Sequence, residues 1–172
     1  MKNTKVLYLT QAAMIAALYV VLTLIAGAFG LDHYAIQLRF SEALTILPFF
    51  TPAAIPGLYV GCLLSNLLTG CIIWDILFGS LATLIAAFGT WMLRKKSKWL
   101  APLPPIAANT LIVPFILSYA YRIEGSIFYF MLTVGIGEVL SCGVFGLLLL
   151  NVLQKYQISV FGDCSASLKH LS

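Results

Sequence analysis

Long apolar runs separated by short polar stretches organise this chain, and they predict membrane helices over 6–29, 41–51, 53–69, 74–93, 103–120 and 127–153. The first run, Val6 to Phe29, follows Lys2 and Lys5 and ends near Ala26, Gly27 and Ala28, which resembles a signal peptide with a cleavage site. A signal core is only about 7 to 15 residues long. The run here is long enough to cross a bilayer, so it is expected to be retained as a span.

The middle of the chain allows two readings. Pro48, Pro52 and Pro56 fall four apart, and proline interrupts the helical hydrogen-bond ladder. The stretch from Glu42 to Leu68 is therefore one kinked span or two short ones joined at Thr51 and Pro52. Charge distribution separates the two. With six crossings and both ends cytoplasmic, eight basic residues lie inside (Lys2, Lys5, Arg94, Lys95, Lys96, Lys98, Lys155 and Lys169) and two outside (Arg39 and Arg122). With five crossings the better split is seven to three. Basic residues concentrate on the cytoplasmic side of membrane proteins, so six spans are favoured.

Composition agrees with the periodicity. Hydrophobic residues make up 61% of the chain and charged residues 9%, with a mean hydropathy of +0.99, far from the balance of a soluble domain. The fold class expected is an all-α integral membrane protein, a single bundle of six transmembrane helices over residues 1–156 with both termini cytoplasmic. Residues 157–172 form a polar cytoplasmic tail. The net charge of +4 is explained by topology, and no nucleic-acid partner is implied. Cys62, Cys71, Cys142 and Cys164 have no zinc-type or CxxC spacing, and no chemistry is assigned to them.

Absent motifs narrow the function further. The chain has no GxxxxGK[ST] loop to cradle the phosphates of ATP. Its two histidines, His33 and His170, fall in an outer loop and in the tail, and no HExxH or paired-histidine metal site is available. No serine, histidine and acid come together at membrane depth. Neither enzymatic chemistry nor a metal or other cofactor is expected.

What remains is a set of polar residues at membrane depth. Glu138 lies about mid-way through the last span, where a carboxylate needs a proton, a cation or a set of donors. Arg39 and Glu42 flank Ser41 at the outer end of the second span, while Asn66 and Asp75 lie near the outer ends of the third and fourth. Asn109 sits farther in on the fifth. Each has a bland explanation: a rim ion pair for Arg39 with Glu42, a helix cap for Asp75, an interhelical bond for Asn109. Together they predict a polar cavity opening outward. Tyr34, Tyr59, Tyr119, Tyr121, Trp74 and Phe78 share that outer level, where aromatics anchor helices at the interface or stack on a flat ligand. Small residues form a second feature, because Ala12 with Ala16 and Ala13 with Ala17 repeat at i and i+4. Such faces admit a neighbouring backbone, within one chain or between two. Gly57 with Gly61 and Gly137 with Ser141 are read as internal packing.

Four stretches carry a resemblance: Ile36 to Gly57 (IQLRFSEALTILPFFTPAAIPG), Asp75 to Thr83 (DILFGSLAT), Trp99 to Pro105 (WLAPLPP) and Val134 to Glu138 (VGIGE). They resemble the QueT family of queuosine-precursor transporters, the substrate-binding S components of energy-coupling factor (ECF) transporters, across nearly the whole chain. That resemblance implies six helices, an outer loop from Gly30 to Phe40 acting as a lid, and two ATPase subunits that supply the energy. It also implies that the Ala12, Ala13, Ala16 and Ala17 faces dock on a transmembrane coupling (T) subunit. The implied ligand is a 7-deazaguanine such as the aminomethyl precursor preQ1 or the base queuine. Its N1–H and amino edge suits a carboxylate, and the aminomethyl arm of preQ1 is cationic. The ligand-binding residues expected are Glu138, Asp75, Glu42, Arg39, Gln37, Asn66 and Asn109, with Tyr119 or Trp74 stacking on the ring. The competing reading is a stand-alone carrier that moves a proton on Glu138; such carriers often show internal repeats, and no convincing one is present.

Overall fold

A computed structural model describes residues 4–30, 39–122 and 125–156, and the regular structure among them is entirely helical. Gln37, His33, Tyr34, His170 and most of the expected lid lie outside the described residues. Helix α1 spans Thr4–Ala28, a 3-10 helix spans Phe40–Phe49, α2 spans Ala54–Leu68 and α3 spans Ile73–Leu93. A short turn, Lys98–Leu100, leads into α4, Leu103–Phe115, which widens into a π-helical turn over Ile116–Ala120. Helix α5, Ile127–Glu138, passes through a π-helical stretch, Val139–Phe145, into α6, Gly146–Lys155.

Four continuous helices are long and apolar enough to cross a membrane: Thr4–Ala28, Ile73–Leu93, Lys98–Ala120 and Ile127–Lys155. The stretch from Glu42 to Leu68 resolves into two separate helices, as the prolines suggest. Leu47 carbonyl accepts from both Phe50 and Thr51 amides, and Thr51 Oγ1 accepts from Ala53 N and donates to Gln11 Oε1 at 3.0 Å. The break is thereby fixed to α1. The 3-10 helix is about 20 Å long at 2.0 Å per residue, and α2 is about 22 Å long at 1.5 Å per residue.

The 3-10 form is the feature that builds the site. Runs of this helix beyond three or four residues are uncommon, and here the run covers 10 residues. Pro48 lies inside it and supplies no amide donor. Three residues per turn bring every third side chain onto one face, so Arg39, Glu42, Thr45 and Pro48 line up. An α-helix would spread them. Ser41 through Pro48 are all buried, because α1, α2, α3, α6 and the π-helical stretch pack around this segment. Its apolar side, Leu44, Ile46 and Leu47, joins Tyr19, Leu58 and Leu150 in the core.

Outer helices show a complementary pattern. On α3 the buried positions apart from Ile76 are polar or small (Asp75, Gly79, Ser80, Ala82, Thr83, Ala86, Ala87 and Thr90), whereas Leu77, Phe78, Leu81, Ile85, Phe88 and Met92 are exposed. Small and polar side chains inward with bulky apolar ones outward is the arrangement lipid favours.

Helices α1 and α2 meet through matched small residues. A Cβ on Gly57 would lie 2.7 Å from the Ala12 carbonyl oxygen, and one on Gly61 would lie 2.8 Å from Tyr19 Cβ and 3.0 Å from the Ala16 carbonyl oxygen. Ala12 and Ala16 are accordingly buried inside the chain, while Ala13 and Ala17 are exposed. Ala12 and Ala16 therefore pack on α2 within this chain, and Ala13 and Ala17 form the side of α1 that the chain leaves uncovered. Replacing Gly57 by valine is expected to push the helices apart and cost about 1–3 kcal/mol, the usual range for overpacking. Thermal unfolding in detergent reads it directly. An unchanged midpoint would mean that the helices are not in backbone contact there.

Candidate functional site

Glu42 is the hub of the buried polar residues. It is 1% exposed. Its Oε1 accepts from Tyr19 OH at 2.6 Å, and its Oε2 accepts from Asn109 Nδ2 at 3.2 Å. The first donor comes from α1 and the second from α4, so one carboxylate ties three separated segments together. Charge-assisted bonds of this kind are about twice as strong as neutral ones. The Glu42 backbone carbonyl is used as well, accepting from Thr45 Oγ1 at 2.5 Å and from Cys142 Sγ at 3.3 Å.

Glu138 enters the same cluster from α5. It is 6% exposed, and its Oε2 lies 3.2 Å from Cys142 Sγ, sharing the one thiol proton with the Glu42 carbonyl. Asn109, whose amide is bonded to Glu42, is part of the same buried cluster. One donor atom from each of Glu42, Glu138 and Cys142 falls within 4.8 Å of the others. Such a spacing could hold a cation, but here these groups are already bonded to protein donors. The side chains come together because Glu138 and Cys142 sit at i and i+4 where the helix changes from α to π. Single-turn π insertions recur at functional sites for this reason: they re-aim side chains without breaking the helix.

Asp75 forms a second, separate polar group in the first turn of α3. Its Oδ2 accepts from Tyr121 OH at 3.0 Å, and its backbone carbonyl accepts from Asn66 Nδ2 at 3.4 Å. Burial, then the neighbouring Asp75 charge, push the Tyr121 phenol well up, so it remains a donor. Gly79 makes room for this pair, since a Cβ there would lie 2.9 Å from Asp75 Oδ1 and 3.2 Å from Asn66 Nδ2. Arg39 links the two groups electrostatically, interacting with Asp75 and with Glu42. Its partner is therefore not Glu42 alone.

The structure thus brings together Glu42, Glu138 and Asn109, sets Asp75 with Asn66 beside them, and places Arg39 in reach of both groups. Gln37 lies outside the described residues. Trp74 and Tyr119 are not brought to the acids. They are 54% and 72% exposed, stack on Phe78 and Phe115 respectively, and line an apolar groove of about 440 Å³ between α3 and α4.

Three participants were not singled out from sequence as parts of this site: Tyr19, Thr45 and Cys142. Tyr19 carries a usable signal, because a tyrosine deep in an apolar span needs a partner for its hydroxyl. Cys142 carries less, since a thiol in an apolar run packs as a small hydrophobe by default.

Comparison with known proteins adds an independent line. Residues 9–155 match the sequence model of a family described as QueT transporter. The queuosine precursor transporter QueT of Lactococcus lactis subsp. cremoris (strain MG1363) is 37% identical over 86 residues, covering 49% of this chain and 50% of that relative. The match therefore spans about half the relative's length. No solved structure gives a significant match.

Proposed function

Because the chain belongs to the QueT transporter family, we propose that it is the substrate-binding component of an ECF transporter and captures a queuosine precursor outside the cell. The observation that carries this reading is the closed cluster of Glu42, Glu138, Asn109 and Tyr19 inside an apolar helical bundle. Two adjacent carboxylates suit a planar base whose edge offers two or three N–H donors, and Asn109 can turn its amide to meet the ligand's carbonyl. Asp75, a separate acid on the outer side, suits the cationic arm of an aminomethyl precursor. Arg39 balances charge between the two acidic groups.

In this reading, ligand donors replace protein donors. Tyr19 and Cys142 donate to the carboxylate oxygens, and a ligand that takes over those oxygens keeps the acids paired while the displaced hydroxyl and thiol turn to acceptors on the ligand or the backbone. The acids are never left bare in this exchange, which spares the largest desolvation cost. Stacking is not assigned to Trp74 or Tyr119, whose rings line the outward groove.

Six crossings of the cell membrane with both ends cytoplasmic complete the proposal. The eight-to-two division of basic residues supports it. The T subunit and two ATPases drive the uptake step, and docking falls to the exposed Ala13 and Ala17 side of α1. A proton carrier is the second reading, because the close Glu42 and Glu138 carboxylates are also what such a carrier would use.

Purification from cells fed a queuosine precursor tests the assignment, with mass spectrometry of the small molecule released on denaturation. A 7-deazaguanine at about one per chain is expected, and uptake should require co-expressed ATPase subunits. Uptake without them that collapses on adding a proton uncoupler at constant ATP would favour the carrier instead.

A further inference from the structure

A groove of about 310 Å³ at the basic end of the bundle is lined by Leu148, Asn151, Val152 and Lys155 of α6. These positions share one helix face at i, i+3, i+4 and i+7. Lys98, from the connection between α3 and α4, donates from Nζ to Asn151 Oδ1 at 3.1 Å. Two ammonium groups therefore flank one asparagine. Lys98 also lies 5.7 Å from the Trp99 ring centroid, and Trp99 is exposed. Tryptophan beside lysine is the composition of a membrane–water boundary.

Nothing on the described chain neutralises this pair. Glu42, Asp75 and Glu138 are the described acids, and all three are buried within the bundle. Among the described residues, then, no carboxylate meets Lys98 or Lys155. Leu148 and Val152 are exposed and run from the ammonium groups toward the membrane interior. The groove has a cationic end at the boundary and an apolar wall below it.

We propose that this groove binds an anionic phospholipid, with the phosphate between Lys98 and Lys155 and one acyl chain along Leu148 and Val152. Lysine ammonium groups bind phosphate as point charges, and a basic recess between spans at the cytoplasmic surface is suited to an acidic headgroup. Asn151 orients Lys98 and keeps an amide N–H₂ available for a phosphate oxygen. The proposal is independent of which ligand the acid cluster binds.

Native mass spectrometry of the full chain in a neutral detergent, titrated with phosphatidylglycerol and with phosphatidylcholine, tests it. The chain should retain phosphatidylglycerol about fivefold or more in preference to phosphatidylcholine. Lys98→Gln combined with Lys155→Gln should erase that preference, whereas Lys95→Gln with Lys96→Gln should keep it. None of these four lysines is buried, so folding is not at stake. Equal retention of the two lipids would overturn the site, as would a preference lost equally in both double variants, which would mean surface charge alone. Displacement by free glycerol phosphate would also overturn it, because that molecule lacks the chain that Leu148 and Val152 are proposed to hold.

Discussion

Glu42→Gln protein is expected to bind a 7-deazaguanine precursor roughly 30- to 700-fold more weakly than the wild type. The figure follows from about 2–4 kcal/mol for removing one member of a buried, charge-assisted set, at 1.4 kcal/mol per tenfold. Glutamine keeps the shape of the side chain but turns one acceptor oxygen into a donor. That donor would confront either Tyr19 OH or Asn109 Nδ2, both of which point at the carboxylate. Asn109 can flip its amide to recover; the ligand's N–H edge cannot. Stability should fall less than affinity, because Tyr19 retains an acceptor in the remaining amide oxygen. Equilibrium binding and the unfolding midpoint, measured on the same preparation, separate the two effects. Unchanged affinity would remove the 3-10 helix from the binding site.

A second large effect is expected at the exposed side of α1. Ala13→Trp combined with Ala17→Trp should leave precursor binding within about twofold while reducing uptake more than about tenfold, because a bulky side chain keeps a partner helix from close approach. The same change at Ala12 or Ala16 should behave differently. Those residues meet α2 across Gly57 and Gly61, so tryptophan there should disrupt the bundle and lower binding and uptake together. The contrast between the two faces is the diagnostic. Normal uptake by the Ala13 and Ala17 variant would place the docking surface elsewhere.

Much of the fold was legible because lipid solvent makes hydropathy a strong signal. The four long spans follow from run length alone, and the break near Pro52 follows from the missing amide donor. The form of the segment before that break was less accessible. Hydropathy reports that Phe40 to Phe49 is apolar but not that it winds with three residues per turn, although the spacing of Arg39, Glu42 and Thr45 fits that period. Glu138 stood out as a candidate for an energetic reason: a carboxylate in hydrocarbon is too costly to leave unexplained.

Where side-chain identity is ambiguous, the sequence was silent or misleading. Tyr19 and Cys142 look apolar in a membrane span, and only the coordinates show that their polar atoms meet the acids. Trp74 and Tyr119 have the right depth for stacking but lie on outward helix faces, a matter of rotation about the helix axis that their depth does not determine. Ala12 and Ala16 offered a close-packing face without saying which helix would use it. Gly57 and Gly61, with the same i, i+4 spacing, were the matching half.

The central claim is that the carboxylates of Glu42 and Glu138 form one recognition site for a planar, nitrogen-rich base. Calorimetric titration of the aminomethyl precursor into wild-type and Glu138→Gln protein, at matched thermal stability, tests it most directly. The account predicts one ligand per chain for the wild type and a loss of about tenfold or more in affinity for the variant. Equal affinity in two equally stable proteins would contradict it.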